Sequence, residues 1–189
     1  MPIEKLPPER LKDFFLNLTG RSFSQLGLRD RQVIEYVASV LTDFAHSDRW
    51  LIMRDLEGRR LGSVVEMLVS AMSFNEQARV TSERSLRKYV GDYTLFMSGL
   101  FRAYVERGGY LSYYFEEGKR SYHLVSQLDL SLHRPGFLLF EELGRHFEFY
   151  SGALDFMRKC FFSSAPERPS FAGFLAQIEG LLKAGRPEN

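Results

Sequence analysis

Cysteine occurs once in this 189-residue chain, at Cys160, so no internal disulfide, CxxC redox pair or zinc-ribbon ligand set can form. A reducing cytoplasm is the expected setting. Neither sign of charge prevails: 25 Lys and Arg stand against 24 Asp and Glu, leaving no global field to draw the chain toward nucleic acid or an anionic membrane. Long apolar runs are missing as well, because Glu66, Asp92 and Glu148 interrupt the greasiest segments well short of the ~20 residues that a membrane span needs. The opening Met-Pro-Ile-Glu-Lys-Leu-Pro-Pro has an acid and prolines where a secretion signal has a basic start and an apolar run. The expectation is a soluble cytoplasmic protein with neither a nucleic acid nor a membrane partner.

Motifs that announce chemistry are absent too. There is no GxGxxG after a strand, no GxxxxGK[ST], no G-x-S-x-G elbow and no HExxH, so the usual routes to nucleotide, serine-hydrolase and zinc-protease chemistry are closed. Period-two alternation is nowhere sustained, and no repeat is visible.

What the chain has is helical periodicity and aromatic bulk, with 17 Phe and 9 Tyr. Between Phe137 and Phe162, Phe140, Leu143, Phe147, Tyr150, Leu154, Met157 and Phe161 recur at steps of three and four, one seam of a helix. Leu139, His146, Phe149, Ala153, Phe156 and Cys160 form a second line beside it, which predicts a central helix flanked on two sides. Cys160 at that spacing reads as a small hydrophobe.

Elsewhere, Glu9–Leu18 predicts a short lid helix closed by Gly20, and Asp30 a cap for a helix whose buried face is Val33, Ile34, Val37, Val40, Leu41 and Phe44. Trp50–Met53 reads as an extended connector, and Leu61–Phe74 as a third helix that Asn75-Glu76-Gln77 breaks. A fourth helix is expected from about Glu83 to Arg107, with Leu86, Tyr89, Tyr93, Phe96, Leu100 and Ala103 on its seam. Gly91, Ser98 and Gly99 lie off that seam and mean either a close helix approach on a second side or a local kink. Gly108-Gly109 turns the chain into a fifth helix through Leu111, Tyr114, Gly118, Tyr122 and Val125, making an antiparallel hairpin that His133-Arg134-Pro135-Gly136 closes. Phe171, Phe174, Leu175, Ile178, Leu181 and Leu182 mark a terminal amphipathic helix from a Ser170 cap. The fold class is all-α: one domain over 1–189, six or seven helices around a long central helix in the C-terminal half, with 1–8 and 185–189 flexible.

Candidate site residues come from three groups. Tyr89, Tyr93, Tyr104, Tyr110, Tyr113, Tyr114 and Tyr122 cluster across the hairpin; core filling is the favoured reading and a ligand pocket the other. Glu142 and His146, four apart, read first as a structural ion pair and second as holders of a proton, water or metal beside Asp92 and Tyr93; one such pair falls short of a di-iron ligand set. Arg54, Arg59, Arg60, Arg79, Arg84, Arg87 and Lys88 are interleaved with Glu57, Glu76 and Glu83, and read as a solvated face. The ligand-binding candidates are therefore Tyr89, Asp92, Tyr93, Tyr114, Tyr122, Glu142 and His146, with no catalytic residue, metal or cofactor assigned.

The run Gly91-Asp92-Tyr93-Thr94-Leu95-Phe96-Met97-Ser98-Gly99-Leu100-Phe101, followed by Tyr113-Tyr114, Gly118 and Tyr122, resembles a pattern in uncharacterised bacterial all-helical proteins, over most of the chain from Tyr36 to Met157. The resemblance implies a bacterial, cytoplasmic protein and carries no activity and no site. The expected function is non-enzymatic binding: to a second copy, to a partner protein or to a small apolar ligand. Leu95 and Tyr113, off their seams, and the apolar terminal segments point to a homodimer. The alternative is a small-ligand or metal-binding sensor or enzyme, with an internal polar site between the 83–128 hairpin and the central helix.

Overall fold

The computed structural model describes residues 8–45 and 76–162. The expected connector at Trp50–Met53, the third helix, the terminal helix and both chain ends lie outside these residues. Among the described residues the chain is all-helical, with seven helices and no strand, as its periodicity predicts. They are α1 (Pro8–Gln25), α2 (Arg31–Ala45), α3 (Glu76–Leu100), α4 (Arg102–Arg107), α5 (Leu111–Ser131), α6 (Phe137–Arg145) and α7 (Phe147–Phe161). α3 packs along α5 and α7, α5 along α6, and α1 along both α2 and α7.

α1 runs past Gly20, where the sequence predicts its end, to Gln25. The gain from continuing is the burial of Phe23, which has no exposed surface; Leu11 and Phe15 have none either and Leu18 has 1%, so the helix is part of the core and more than a lid. α2 starts at the expected cap, where Asp30 Oδ1 accepts from the amides of Gln32 (2.9 Å) and Val33 (3.2 Å). Three helices then end by the same device, with crossed hydrogen bonds around a residue of positive φ. It is Gly27 after α1 (φ 81°), Gly109 after α4 (φ 73°) and His133 after α5 (φ 52°). After α5 the amide of Arg134 donates to the Asp129 carbonyl (2.8 Å) and that of His133 to Leu130 (3.1 Å). The expected break at 133–136 is therefore made by a histidine in the left-handed region, while Gly136 keeps φ −78°.

Two predicted helices are divided. The Phe137–Phe162 stretch is helical with its main seam inside, but it changes direction at His146 (φ −113°, ψ 27°), and the second line beside that seam is open at His146, Phe149 and Cys160. The 83–107 helix begins earlier, at Glu76, and is interrupted at Phe101 (φ −112°, ψ 27°), which leaves Ala103 exposed. The element buried on all sides is the end of α3, where every residue from Gly91 to Leu100 is inside. Leu95, expected at a dimer surface, has 0% exposure.

Small residues make that enclosure possible. A Cβ on Gly91 would lie 2.7 Å from the Tyr122 ring, one on Gly99 2.5 Å from Leu154, and one on Gly118 2.2 Å from Phe147. Ser98 meets Ser151 of α7 through a buried hydroxyl hydrogen bond of 2.9 Å. Gly91, Ser98 and Gly99 thus serve close helix approach, as the first of the two sequence readings has it. Gly152, by contrast, has open space where its Cβ would be. Gly118→Ala is expected to cost about 1–3 kcal/mol through overpacking, whereas Gly152→Ala should gain about 0.5–1 kcal/mol from helix propensity. Urea unfolding of the two variants checks the pair of opposite signs.

Candidate functional site

A carboxylate inside an enclosed helix must find donors, and Asp92, 2% exposed, finds three. Its Oδ1 accepts from the Tyr36 hydroxyl of α2 at 2.5 Å and the Tyr122 hydroxyl of α5 at 2.9 Å, while Oδ2 accepts from Lys88 Nζ at 2.7 Å. The glycine at position 91 lets the Tyr122 ring lie flat on the backbone of α3, which brings its hydroxyl to the next residue. One turn before Lys88, Arg84 forks onto Asp129 of α5, with Nη2 donating to Oδ2 at 2.7 Å and Nε to Oδ1. Arg84 also lies over the Phe140 ring (5.6 Å), and Lys88 over Tyr36 (5.1 Å). Phe140 meets Tyr36 edge to face at 5.3 Å and Tyr122 at 5.9 Å.

The electrostatics follow from burial. Desolvation, the largest influence, raises the Asp92 carboxyl above its ordinary value against Lys88, Tyr36 and Tyr122, which stabilise the charge. The Tyr36 and Tyr122 phenols are raised well above theirs, by burial first and by the Asp92 charge second. Both therefore remain hydrogen donors throughout the neutral range.

The sequence-selected residues fall in three places. Asp92 and Tyr122 meet in the network just described. Tyr89, Tyr93 and Tyr114 belong to a neighbouring aromatic stack, with Tyr89–Tyr93 ring centres 6.3 Å apart, Tyr93–Tyr114 6.1 Å apart, and Phe44 tilted against Tyr89 and Tyr93. Burial raises the Tyr93 and Tyr114 hydroxyls. Glu142 and His146 stand apart at the α6–α7 bend. Glu142 Oε2 and His146 Nε2 are 3.9 Å apart with the His146 side chain half exposed, and Glu142 Oε1 accepts a 2.6 Å bond from the Tyr150 hydroxyl. The expected pair is thus a long contact at the surface rather than a desolvated lock, and the Glu142–Tyr150 bond is the closer tie between α6 and α7.

Four members of the network, Asp129 among them, escaped the sequence reading. Arg84 and Lys88 read as solvated, yet their side chains are 19% and 31% exposed and each caps a buried acid, and Tyr36 lies off the apolar face of α2. The available signal was the four-residue spacing of Arg84, Lys88 and Asp92, which puts two cations and an acid on one line of α3. Among the described residues, no three His, Cys, Asp or Glu side chains converge in a way that could hold a metal ion. No protein-family model, curated protein or solved structure matches the chain.

Removing Arg84's charge, as in Arg84→Met, should cost about 3 kcal/mol, since it strands the fully buried Asp129 carboxylate; Tyr122→Phe should cost about 1–2 kcal/mol for one donor. Chemical denaturation measures both. The raised folded-state pKa of Asp92 sets a sign as well. Its stabilising contribution is fully present below the unfolded value of about 3.9 and is lost as pH rises through the higher folded value. The stability of the wild type minus that of Asp92→Asn should accordingly fall as pH is raised from about 4 toward 7.

Proposed function

We propose that this chain is a non-enzymatic helical binding domain that works by protein association, in the first place with a second copy of itself. The observation that carries the reading is a division of its polar aromatics. The Asp92 carboxylate is satisfied by three donors of its own chain. At the α4–α5 turn, meanwhile, Tyr104, Tyr110 and Tyr113 are 39%, 44% and 46% exposed. Tyrosine at a surface offers a large apolar contact with a hydrogen-bonding tip and is enriched at interfaces. Tyr113 is accessible for such a contact, whereas the buried Leu95 is not. A different protein or a small apolar ligand is the other occupant of that surface. A bacterial cytoplasm is the setting we infer: the single thiol suits a reducing compartment, and the resemblance of the Gly91–Phe101 run to uncharacterised bacterial helical proteins implies the source.

A second reading, a sensor or enzyme built on the internal polar site, is favoured by one observation: Asp92 has a raised pKa and lies beside two phenols and a lysine that reaches the surface. Purification discriminates, since a copurifying metal or chromophore supports the second reading, and self-association or a clean pull-down partner the first.

Sedimentation should give a species of twice the 21.9 kDa chain mass, and Tyr113→Asp should return it to monomer with unchanged helical circular dichroism. A single 21.9 kDa species at high concentration removes the homodimer.

A further inference from the structure

Lys88 differs from the other two partners of Asp92 in how it is held. Tyr36 and Tyr122 reach the carboxylate from separate packed helices, whereas Lys88 lies one turn earlier on α3 with 31% of its side chain accessible. Its four-carbon stem can swing the ammonium to water by rotamer changes alone, with the backbone fixed. The local charges are balanced: Arg84 and Lys88 against Asp92 and Asp129. The groups facing Asp92 are Lys88 from its own helix, Tyr36 from α2 and Tyr122 from α5; Asp129 of α5 is tied to Arg84, and α6 brings the uncharged Phe140 ring.

A proton taken from solvent by Asp92 has one place to go that disturbs neither tyrosine. Oδ1 already accepts two phenolic hydrogens, which matches the two lone pairs of a carbonyl oxygen, so the proton belongs on Oδ2. Protonation at Oδ2 turns the charged acceptor of Lys88 into a weakly accepting hydroxyl whose hydrogen competes for the same space, and the countercharge that held the ammonium is gone. We propose that Lys88 is a proton-gated arm: ionised Asp92 holds its ammonium over the face of Tyr36, and protonated Asp92 releases it to solvent while both tyrosines stay in place. Burial, by favouring the neutral acid, moves this exchange toward neutrality from the ordinary carboxylate range. A proton absorbed in the core is thereby displayed at the surface as a free ammonium beside Tyr36. The inference is independent of the homodimer.

The test is an NMR titration of the full chain that follows the Asp92 carboxyl carbon, the Lys88 Nζ resonance and the Tyr36 ring protons together. The three should share one midpoint, above that of an ordinary aspartate, and in Lys88→Met the Asp92 midpoint should rise while the pH response of the Tyr36 ring shrinks to the part carried by its own bond to Asp92. A Lys88 signal that stays flat through the Asp92 titration in the wild type overturns the proposal, and that comparison needs no variant to fold. An Asp92 midpoint unmoved in a folded Lys88→Met overturns it equally.

Discussion

An ionisable carboxylate has been placed where no face of its helix reaches water, and the surrounding structure is arranged to meet that demand. Asp92 lies in the part of α3 that is buried on every side, and stranding a charge there costs several kcal/mol unless it is matched. The match requires α2 to present Tyr36, α5 to present Tyr122 and α3 itself to fold Lys88 back by one turn. It thereby fixes the rotation of two helices about their own axes, since a slip of one residue in either would remove its hydroxyl from Oδ1. Arg84 and Asp129 repeat the arrangement two turns away, and Phe140 lies between the two pairs as a shared aromatic wall.

Such a network is compatible with close packing only because glycine and serine replace larger residues at the contacts. Gly91 against Tyr122, Gly99 against Leu154 and Gly118 against Phe147 are places where a methyl group has no room. The consequence is a core in which large rings lie directly on neighbouring backbones. Tyr122, Tyr150, Phe96 and Phe147 are among its largest fully buried side chains. At Phe101 and His146 the backbone leaves helical geometry and the next helix takes a new direction; after His146 this carries Phe147, Leu154 and Met157 into the core.

A self-satisfied polar interior and a rim of exposed tyrosines divide the labour in the proposed binding role. The interior specifies one arrangement of helices, which is the best-attested use of buried polar groups, and the rim offers contact area to a partner. Lys88 is where the two meet: bonded to the interior carboxylate, with part of its side chain accessible to solvent.

Helical class, the Asp30 cap, the Gly109 turn and the main seam from Phe140 to Met157 were legible in the sequence, because periodicity and capping are local properties fixed by side chains within a few residues of one another. Where α1 stops was less so: Gly20 is a stop signal by propensity, and the burial of Phe23 outweighs it. The half-legible part was the site. Asp92 and Tyr122 stood out, but whether Arg84 faces water or acid depends on which residues of α5 lie opposite, and the Glu142–His146 contact is long and half exposed at a bend that no residue type at 146 announces. The chain alone determined which faces are apolar. Only the packing of α2, α3 and α5 decided which charges meet, since partners 30 to 56 residues apart are joined by helix rotation and spacing rather than by sequence neighbourhood.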